Sequence, residues 1–348
     1  MLITLILFIF ILGITVFVHE LGHFIFAKIV GIHVYEFSLG FGPLIVKKIA
    51  KDKTQYSLRA IPLGGFVSLA GEEVELDRNK QKGKNIQDKN VFQRFLVMFM
   101  GVGFNFIFAF LILLLIGFIY GAPNIEPVLK EVVPNYPAAM AGLETNDKVL
   151  EINDKKVKYL DDISLYITLA DLDEKLVFEV EKENGDIKTY EIEPIKETDS
   201  KGNDKYVIGI TLQKVPERGF FKSIAYAFKQ ECAMFKQMFA VLGSLITGKL
   251  SVNQLSGPVG IYSIVGDVKN EGLNSIMYLL ALLSINVGVI NLIPLPAFDG
   301  GRILFLIIEK IKGSPINPKV ENTIHSIGFI LLMILMIYVT FNDILKLF

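Results

Sequence analysis

Apolar runs separated by polar blocks organise this sequence. Four of the runs are long enough for a helix to cross a bilayer, which takes about 20 residues. They occupy residues 2–26, 95–120, 275–293 and 323–341. Charged residues are gathered in the blocks between them, so the pattern predicts a multi-pass α-helical membrane protein with four transmembrane helices.

A strand pattern replaces the helical one in residues 31–71. Residues 34–38, 44–46 and 55–61 have strand character. Glycine and proline between these segments mark turns, bulges and close approaches of another backbone. Strand backbone beside a membrane must be buried in protein or line a wet cavity. The region is therefore either a sheet whose edge accepts an extended peptide or an ordinary cytoplasmic hairpin, and the polar residues 72–90 are expected to form an exposed linker.

A compact soluble domain is predicted over residues 122–214. Two short helices are expected at 137–142 and 161–169, and Asn184-Gly185 is a hairpin turn signal. The expected strands are residues 128–133, 148–152, 176–181, 189–195 and 206–212.

Residues 220–246 then have helical periodicity. Lys222, Lys229 and Lys236 recur every seven residues among phenylalanines, which predicts an amphipathic helix on the membrane surface. A helix that simply packs over the second span is a compatible alternative. The Gly-Pro-Val-Gly run at 257–260 is expected to break the helix before the third span.

Composition agrees with a membrane protein that carries a folded soluble part. The chain has 348 residues, of which 52% are hydrophobic, and its mean hydropathy is +0.48. A net charge of −1 provides no basic field for nucleic acid. Cys232 is the only cysteine, which excludes an intrachain disulfide and a cysteine-built metal site. The N-terminus lacks a basic segment and a signal-peptidase site, so it is interpreted as a retained span.

The first apolar run contains candidate metal chemistry, because His19, Glu20 and His23 form an H-E-x-x-H pattern. Spaced i and i+4, the two histidines project from one helix face and can bind one ion. Glu20 directly follows the first of them, where a carboxylate can take a proton from the attacking water. Zinc suits two imidazoles and one carboxylate with a fourth position open. An ionisable residue within a span costs roughly 2.5–3.5 kcal/mol on insertion scales, which favours function over a chance match.

A third ligand is expected from elsewhere, and the candidates are His33, Glu36, Asp299 and His325. Asp299 is best placed, at a turn rich in proline and glycine just after the third span. The alternative is that Asp299 is the N-cap of a helix starting near Arg302. His325 is interpreted as an interfacial residue at the start of the fourth span.

The second span contains Gly101, Gly103 and Asn105. Small residues let helices pack closely in lipid, and asparagine offers an interhelical hydrogen bond. We interpret these residues as packing residues without a direct catalytic part.

Lysine and arginine predict the orientation of the spans. They are concentrated between the first two spans and again between the last two, whereas the tail has only Lys346. Both short connections are therefore expected in the cytoplasm, with both termini and residues 121–274 outside. This topology brings His19, His23 and Asp299 toward the cytoplasmic side.

Part of the soluble domain resembles the PDZ signature. The resemblance rests on Pro-Ala-Ala-Met-Ala-Gly-Leu at 137–143 and Asn-Asp-Lys-Val-Leu-Glu-Ile-Asn at 146–153. Asn146 stands where glycine usually precedes Asp147, and asparagine tolerates left-handed backbone. PDZ domains bind extended peptides or chain ends by strand addition.

The combined motifs are similar to those of the site-2 protease family of intramembrane zinc metalloproteases, in its bacterial PDZ-containing branch for regulated intramembrane proteolysis. The resemblance covers nearly the whole chain. It includes H-E-x-x-H, Ser-Leu-Gly-Phe-Gly-Pro at 38–43, Ile-Pro-Leu-Gly-Gly-Phe-Val at 61–67, one PDZ domain, the run at 257–260, and N-x-x-P-x-P-x-x-D-G from Asn291. Phe298 replaces the family's usual leucine before the aspartate, and both are apolar. Some members carry two PDZ domains, whereas this sequence has space for one.

The resemblance implies a site for Zn²⁺ in which His19, His23 and Asp299 are the ligands and Glu20 is the catalytic base. A membrane-reentrant hairpin is implied around residues 40–43. The implied substrate-binding residues are Asn291, Gly40, Gly42, Gly64, Gly65 and Phe66, the last three on an edge that holds substrate as an added strand.

The implied enzyme is a zinc-dependent endopeptidase of the bacterial cytoplasmic membrane. Its expected substrates are single-span proteins already shortened by an earlier cut, such as anti-sigma factors or signal-peptide remnants, and its PDZ domain would exclude large ectodomains or bind new chain ends. The expected parts are residues 1–121 (membrane part with the zinc motif), 122–214 (extracytoplasmic PDZ domain), 215–273 (surface helix and connection) and 274–348 (C-terminal membrane part). Two alternatives are an inactive metal-binding scaffold, which would not need Glu20, and a zinc transporter, for which four histidines are few.

Overall fold

A computed structural model describes residues 1–72, 83–170, 174–198, 204–212, 216–251, 253 and 255–346. The helices of this part are α1 Leu2–Ile29, α2 Val91–Ile119, α3 Pro137–Ala141, α4 Leu160–Thr168, α5 Phe220–Ile246, α6 Pro258–Val268, α7 Leu273–Leu292, α8 Asp299–Lys312 and α9 Pro318–Leu345. The strands are β1 Val34–Ile49, β2 Gln55–Leu69, β3 Ala122–Pro123, β4 Glu131–Val132, β5 Lys148–Ile152, β6 Lys155–Lys156, β7 Leu176–Glu181, β8 Ile187–Ile192, β9 Ile195–Thr198, β10 Asp204–Val207, β11 Ile210–Thr211 and β12 Pro216–Glu217.

The four predicted membrane helices are confirmed as α1, α2, α7 and α9, which are the described helices long and apolar enough to cross a bilayer. Helix α9 begins earlier than predicted because polar residues form its first turn. The Asn317 side chain accepts a hydrogen bond from Lys319 N, and proline is well suited to the first helical position.

Residues 1–113 and 252–348 form one compact unit, and residues 114–251 form another. In the first unit, the predicted strand region folds as β1 and β2. Residues 34–39 of β1 pair with 65–69 on one side, and residues 36–39 also pair with 55–58 on the other. The far half of β1, residues 44–49, pairs with 55–59. The two long strands therefore bend back on themselves and form a sheet of four strand segments. Residues 44–49 and 65–69 are its edge segments.

Gly40 lies at the bend in β1, between its two paired halves. Its φ is +87°, and an added Cβ atom would lie 2.7 Å from Ile61 O. Only glycine combines this left-handed backbone with so close an approach.

Of the predicted linker, residues 73–82 lie outside the described residues, and the structure describes residues 72 and 83–90. The remainder is not wholly exposed. Ile86 is buried among Ala27, Val34 and Leu69, and its N–H donates to Ala70 O at 2.8 Å. The prediction of an exposed linker is therefore wrong at Ile86, because this one apolar side chain completes a core.

The run at 257–260 begins helix α6 as well as ending the irregular segment before it. Gly257 is the N-cap and Pro258 is the first helical residue. Asp343 Oδ2 accepts the Gly260 N–H at 2.8 Å, which satisfies one of the free donors of the new helix.

The second unit contains an antiparallel sheet in the order β6-β5-β7-β8. Its core is formed by Leu129, Ile152, Ile163 and Phe178, which are all nearly inaccessible. Asn146 has a φ of +72°, so the expectation that it adopts left-handed backbone is confirmed.

Helix α5 belongs to this same compact unit, which spans residues 114–251. Gln230 Nε2 donates to Asp161 Oδ2 at 2.9 Å, and Lys236 Nζ donates to Asp162 Oδ2 at 2.8 Å. Lys236 of the predicted cationic stripe therefore faces protein, while Phe221 on the helix is 81% exposed.

Lys182 and Asp147 form a buried ion pair in the second unit, with an N–O distance of 2.9 Å and side chains 10% and 2% exposed. Burial lowers the pKa of the Lys182 ammonium, but hydrogen bonds to Asp147, Tyr190 and Glu144 outweigh burial and raise it. Because folding raises this pKa, the pair contributes its full stability at neutral pH and loses it only above lysine's ordinary value of about 10.4.

We expect Lys182→Met to destabilise the second unit by about 3 kcal/mol, because it leaves a buried carboxylate unpaired. The measurement is the urea midpoint for proteolysis of the full chain within residues 122–214. Lys175→Met is the matched control, since its pair with Glu191 is exposed and should contribute nothing measurable. Equal midpoints for the two variants would contradict this expectation.

Candidate active site

Helix α1 presents His19 and His23 from one face, as their spacing predicts. Both side chains are buried, and their Nε2 atoms lie 3.3 Å apart. Helix α2 approaches this face at Gly101, where an added Cβ atom would lie 2.2 Å from His23 Nε2. On α1, Gly22 is equally restricted, since its Cβ would lie 2.0 Å from Met100 O. Gly22 therefore lets the backbone of α2 approach α1 closely, and Gly101 leaves room for the His23 ring.

Asp299 comes to the same point from the start of α8. Its Oδ2 lies 3.0 Å from His19 Nε2 and 3.2 Å from His23 Nε2. Phe298 is the N-cap of α8, and Asp299 is its first helical residue. The alternative in which the Asp299 side chain caps the helix is therefore wrong, and its carboxylate is free to face the histidines.

The outer nitrogen of His23 identifies its tautomer. His23 Nδ1 lies 2.8 Å from Val97 O, and a carbonyl oxygen can only accept, so Nδ1 carries the proton. The inner Nε2 of the neutral ring is then a lone-pair donor. Val97 on α2 thus orients the second predicted ligand.

Asn105 orients the His19 ring through its outer nitrogen, as Val97 O does for His23. Its side-chain amide lies 3.2 Å from His19 Nδ1, and its backbone oxygen accepts a hydrogen bond from Ser284 Oγ at 3.0 Å. The two ends of an amide exchange by a half turn, so Asn105 Oδ1 can accept the Nδ1 proton that coordination through Nε2 requires. The sequence analysis expected an interhelical hydrogen bond from Asn105 as part of helix packing, and the structure shows that its partner is a ring of the candidate metal site.

The three convergent atoms fit a zinc ion. His19 Nε2, His23 Nε2 and Asp299 Oδ2 all lie within 4.8 Å of one another. Asp299 Oδ2 is buried and receives no hydrogen bond from the described residues. Lone pairs at these separations repel one another unless a cation lies among them. Tetrahedral zinc with ligand distances near 2.0–2.1 Å separates its ligand atoms by about 3.3 Å, which agrees with the distances between these atoms.

Glu20 lies beside this cluster and next to strand β2. An added Cβ atom at Gly65 would be 3.7 Å from Glu20 Cγ. Within the described residues, the Glu20 carboxylate forms no hydrogen bond or ion pair. Its oxygens are therefore available to a proton donor.

The predicted substrate-binding residues lie in two places. Gly64 and Gly65 are packed against β1, where their added Cβ atoms would meet Phe41 Cε2 at 2.4 Å and Ser38 O at 2.5 Å. Phe66 stacks on Phe41 with ring centroids 6.2 Å apart. Gly40 and Gly42 occupy the bend of β1, and Asn291 lies at the end of α7, where its Nδ2 donates to Val287 O at 3.0 Å.

The other candidate ligands have different partners. His33 packs its ring against Tyr35 with centroids 4.9 Å apart, and Glu36 pairs with Arg59 at 2.7 Å. His325 Nδ1 accepts the Ala297 N–H at 3.1 Å. His325 is thus in contact with the turn that carries Asp299, which its interpretation as an interfacial residue did not include.

We expect Asn105→Leu to weaken zinc binding by about 10–100-fold, as is typical when the partner of a metal-bound histidine is removed. Asn105→Asp is the matched variant, because it keeps an oxygen that can accept the His19 proton. The measurement is competition for zinc with a chelator in detergent solution. An unchanged dissociation constant for Asn105→Leu would rule out this positioning contact.

Three side chains that could hold a metal ion, and a glutamate beside them on a helix long and apolar enough to span a bilayer, are features of a membrane metallopeptidase. The chain belongs to Peptidase family M50, whose model matches residues 7–335. Zinc metalloprotease RasP of Bacillus licheniformis is 33% identical, with 99% of this chain and 99% of that protein covered. Regulator of sigma-W protease RasP of Bacillus subtilis is 32% identical over the same shares.

These likenesses confirm the predicted family, the zinc metalloendopeptidase class and the zinc cofactor. They also agree with a multi-pass protein of the cell membrane, as the apolar helices indicate. Zinc held in this protein supplies Lewis acidity and activates water at neutral pH.

Proposed function

We propose that this enzyme hydrolyses peptide bonds within or near the transmembrane segments of single-span proteins that an earlier cut has shortened. One observation carries the proposal. His19, Glu20 and His23 lie on a helix apolar enough to span a membrane, directly beside a strand of an open-edged sheet.

The proposed ligands are His19 and His23 through Nε2 and Asp299 through Oδ2. Val97 O and Asn105 orient the two rings through their outer nitrogens. Glu20 accepts a proton from the attacking water and delivers it to the nitrogen of the leaving amine. The packed histidines and the apolar surroundings limit competing water at the site.

Residues 65–69 of β2 are proposed to hold the substrate. In the described part of the chain they pair on one side only, with β1, so the other edge can accept an extended peptide. A transmembrane helix has its carbonyls bonded internally, and it must unwind before one of them can be attacked. Strand addition at Gly65 would keep the unwound segment extended next to Glu20.

The loop around Gly40 and Gly42 is proposed to enter the membrane. Apolar side chains are exposed on it, including Ile45 at 61%, which favours contact with lipid over contact with water. Asn291 is proposed to contact the substrate. Its Nδ2 bonds to Val287 O, which leaves Oδ1 to accept a hydrogen bond from a substrate amide.

The distribution of lysine and arginine supports a cytoplasmic position for the metal site, with both termini and residues 122–214 outside the cell. We propose that residues 122–214 are one PDZ domain. It would block proteins with large ectodomains or bind the new chain end left by the first cut. The exposed phenylalanines of α5 would contact the extracytoplasmic surface of the cell membrane.

The name of the Bacillus subtilis relative, a regulator of sigma-W protease, supports anti-sigma factors as substrates of this enzyme. Remnant signal peptides share the same chemistry, since they are short, apolar and already cut.

The test uses the purified zinc-loaded enzyme in liposomes with one single-span substrate in two forms, with its full ectodomain and with a trimmed one. We expect a fragment cut within the span from the trimmed form only, and none after zinc is removed with a chelator. Equal cleavage of both forms would refute the requirement for a first cut. No cleavage of either form by zinc-loaded enzyme would refute the proposed activity on this substrate class.

A further inference from the structure

The turn that delivers Asp299 has an unusual backbone. Ala297 lies two residues before Asp299 and has a φ of +79°. This left-handed conformation is uncommon for a residue with a Cβ atom. Glycine would adopt it freely, so an alanine at this position needs other contacts to hold it.

His325 on α9 supplies such a contact. Its Nδ1 accepts the Ala297 N–H at 3.1 Å, so the proton of the neutral ring is on Nε2. This Nε2 is buried and has no hydrogen-bond partner among the described residues. The ring packs against Phe305 of α8, with centroids 5.5 Å apart. Because only Nδ1 is bonded, the one hydrogen bond that fixes the ring is the bond to the turn.

Helix α9 also packs closely against the same turn at a second position, Gly328. An added Cβ atom at Gly328 would lie 2.3 Å from Pro296 Cβ. Gly328 follows His325 by three residues, so the two share one face of α9. This face therefore meets both Pro296 and Ala297.

We propose that His325 is a positioning residue for the metal site. By accepting the Ala297 N–H, it holds the left-handed turn that aims the Asp299 carboxylate at His19 and His23. The inference rests on the proposed role of Asp299 as a zinc ligand. His325 does not itself bind the metal, because its Nδ1 accepts the Ala297 N–H and its Nε2 carries the proton.

Substitutions at His325 separate its two nitrogens. Asparagine can place an amide oxygen near the position of Nδ1, whereas the longer glutamine places one near Nε2. We expect His325→Ala and His325→Gln to raise the zinc dissociation constant by about 10–100-fold, in the range typical for outer contacts of a metal site. His325→Asn should stay close to wild type.

A second substitution tests whether the effect passes through the turn. Ala297→Gly in the His325→Ala background should restore zinc affinity, since glycine adopts the left-handed backbone without help. A general packing defect at His325 would not be repaired in this way. The same variants should lose kcat with little change in KM, because the substrate edge on β2 is not touched.

The experiment measures zinc dissociation constants of the full chain in detergent, by chelator competition, for these variants and for Asp299→Ala. Wild-type affinity in His325→Ala, equal affinities of the asparagine and glutamine variants, or no rescue by Ala297→Gly would each overturn the inference. Undiminished zinc binding by Asp299→Ala would instead overturn the proposed metal site, so the two failures are distinguishable.

Discussion

Glu20→Gln should abolish peptide hydrolysis while leaving zinc bound. The amide matches the carboxylate in size but cannot accept a proton from water. Removal of a general base typically costs roughly 10²–10⁴ in rate, so the product of the trimmed substrate should fall by at least the lower of these factors. Zinc stoichiometry should be unchanged, because the proposed ligand atoms belong to His19, His23 and Asp299.

The matched control for this substitution is Glu271→Gln. Glu271 is exposed between α6 and α7 and should keep wild-type activity after the same purification. Equal product from Glu20→Gln and wild type would sink the assignment of Glu20 and would point to a contaminating protease. Loss of zinc together with activity would instead make Glu20 part of the metal site.

His23→Ala and Asp299→Ala should each lose both zinc and activity. His23 Nε2 and Asp299 Oδ2 lie 3.2 Å apart. Each variant would leave the proposed zinc site with two protein ligands in place of three. Bound zinc, measured by elemental analysis of the purified protein, should fall from stoichiometric to trace levels. Activity should not return in excess zinc, since the remaining ligands cannot orient the metal.

Two variants of the same residue types control for nonspecific loss of metal. His33→Ala removes a histidine that packs on Tyr35, and Asp186→Ala removes a carboxylate from the Asn184-Gly185 turn. Both should retain stoichiometric zinc. Full zinc occupancy in His23→Ala or Asp299→Ala would remove that residue from the proposed ligand set.

The expected effects have a common electrostatic origin. Three polar groups on an apolar helix are costly in a membrane unless they are paired or bind a metal. In this chain a cation among Asp299 Oδ2 and the two imidazoles would offset part of this cost, and α2 satisfies the outer nitrogens of both rings. Breaking any one of these contacts leaves the remaining polar groups unpaired in an apolar environment.

Local sequence patterns predicted a large part of this protein. The four spans follow from apolar length alone, because backbone in lipid must bond internally and helices do so. The H-E-x-x-H spacing places two histidines on one helix face whatever surrounds them. Strands in residues 31–71 and the left-handed Asn146 follow from side-chain shape and backbone preference, which are also local properties.

The pairing of the long strands could not be predicted in the same way. Residues 36–39 have partners on both sides, and strand register depends on which faces become buried. The free edge at 65–69 is therefore a property of the assembled sheet. Ile86 was likewise assigned to a linker, because one apolar residue in a polar block gives no periodic signal.

The sequence by itself determined the spans, the helix face with His19 and His23, and the chemical class of the site, because these depend on contacts between near neighbours in the chain. The tertiary structure decided that Asp299 is not the N-cap of α8 and that its carboxylate contacts both histidine rings. It also decided that Asn105 and Val97 orient the rings and that His325 bonds to the turn at Ala297. Those contacts join residues far apart in sequence, and only packing of the helices brings their atoms within hydrogen-bond distance.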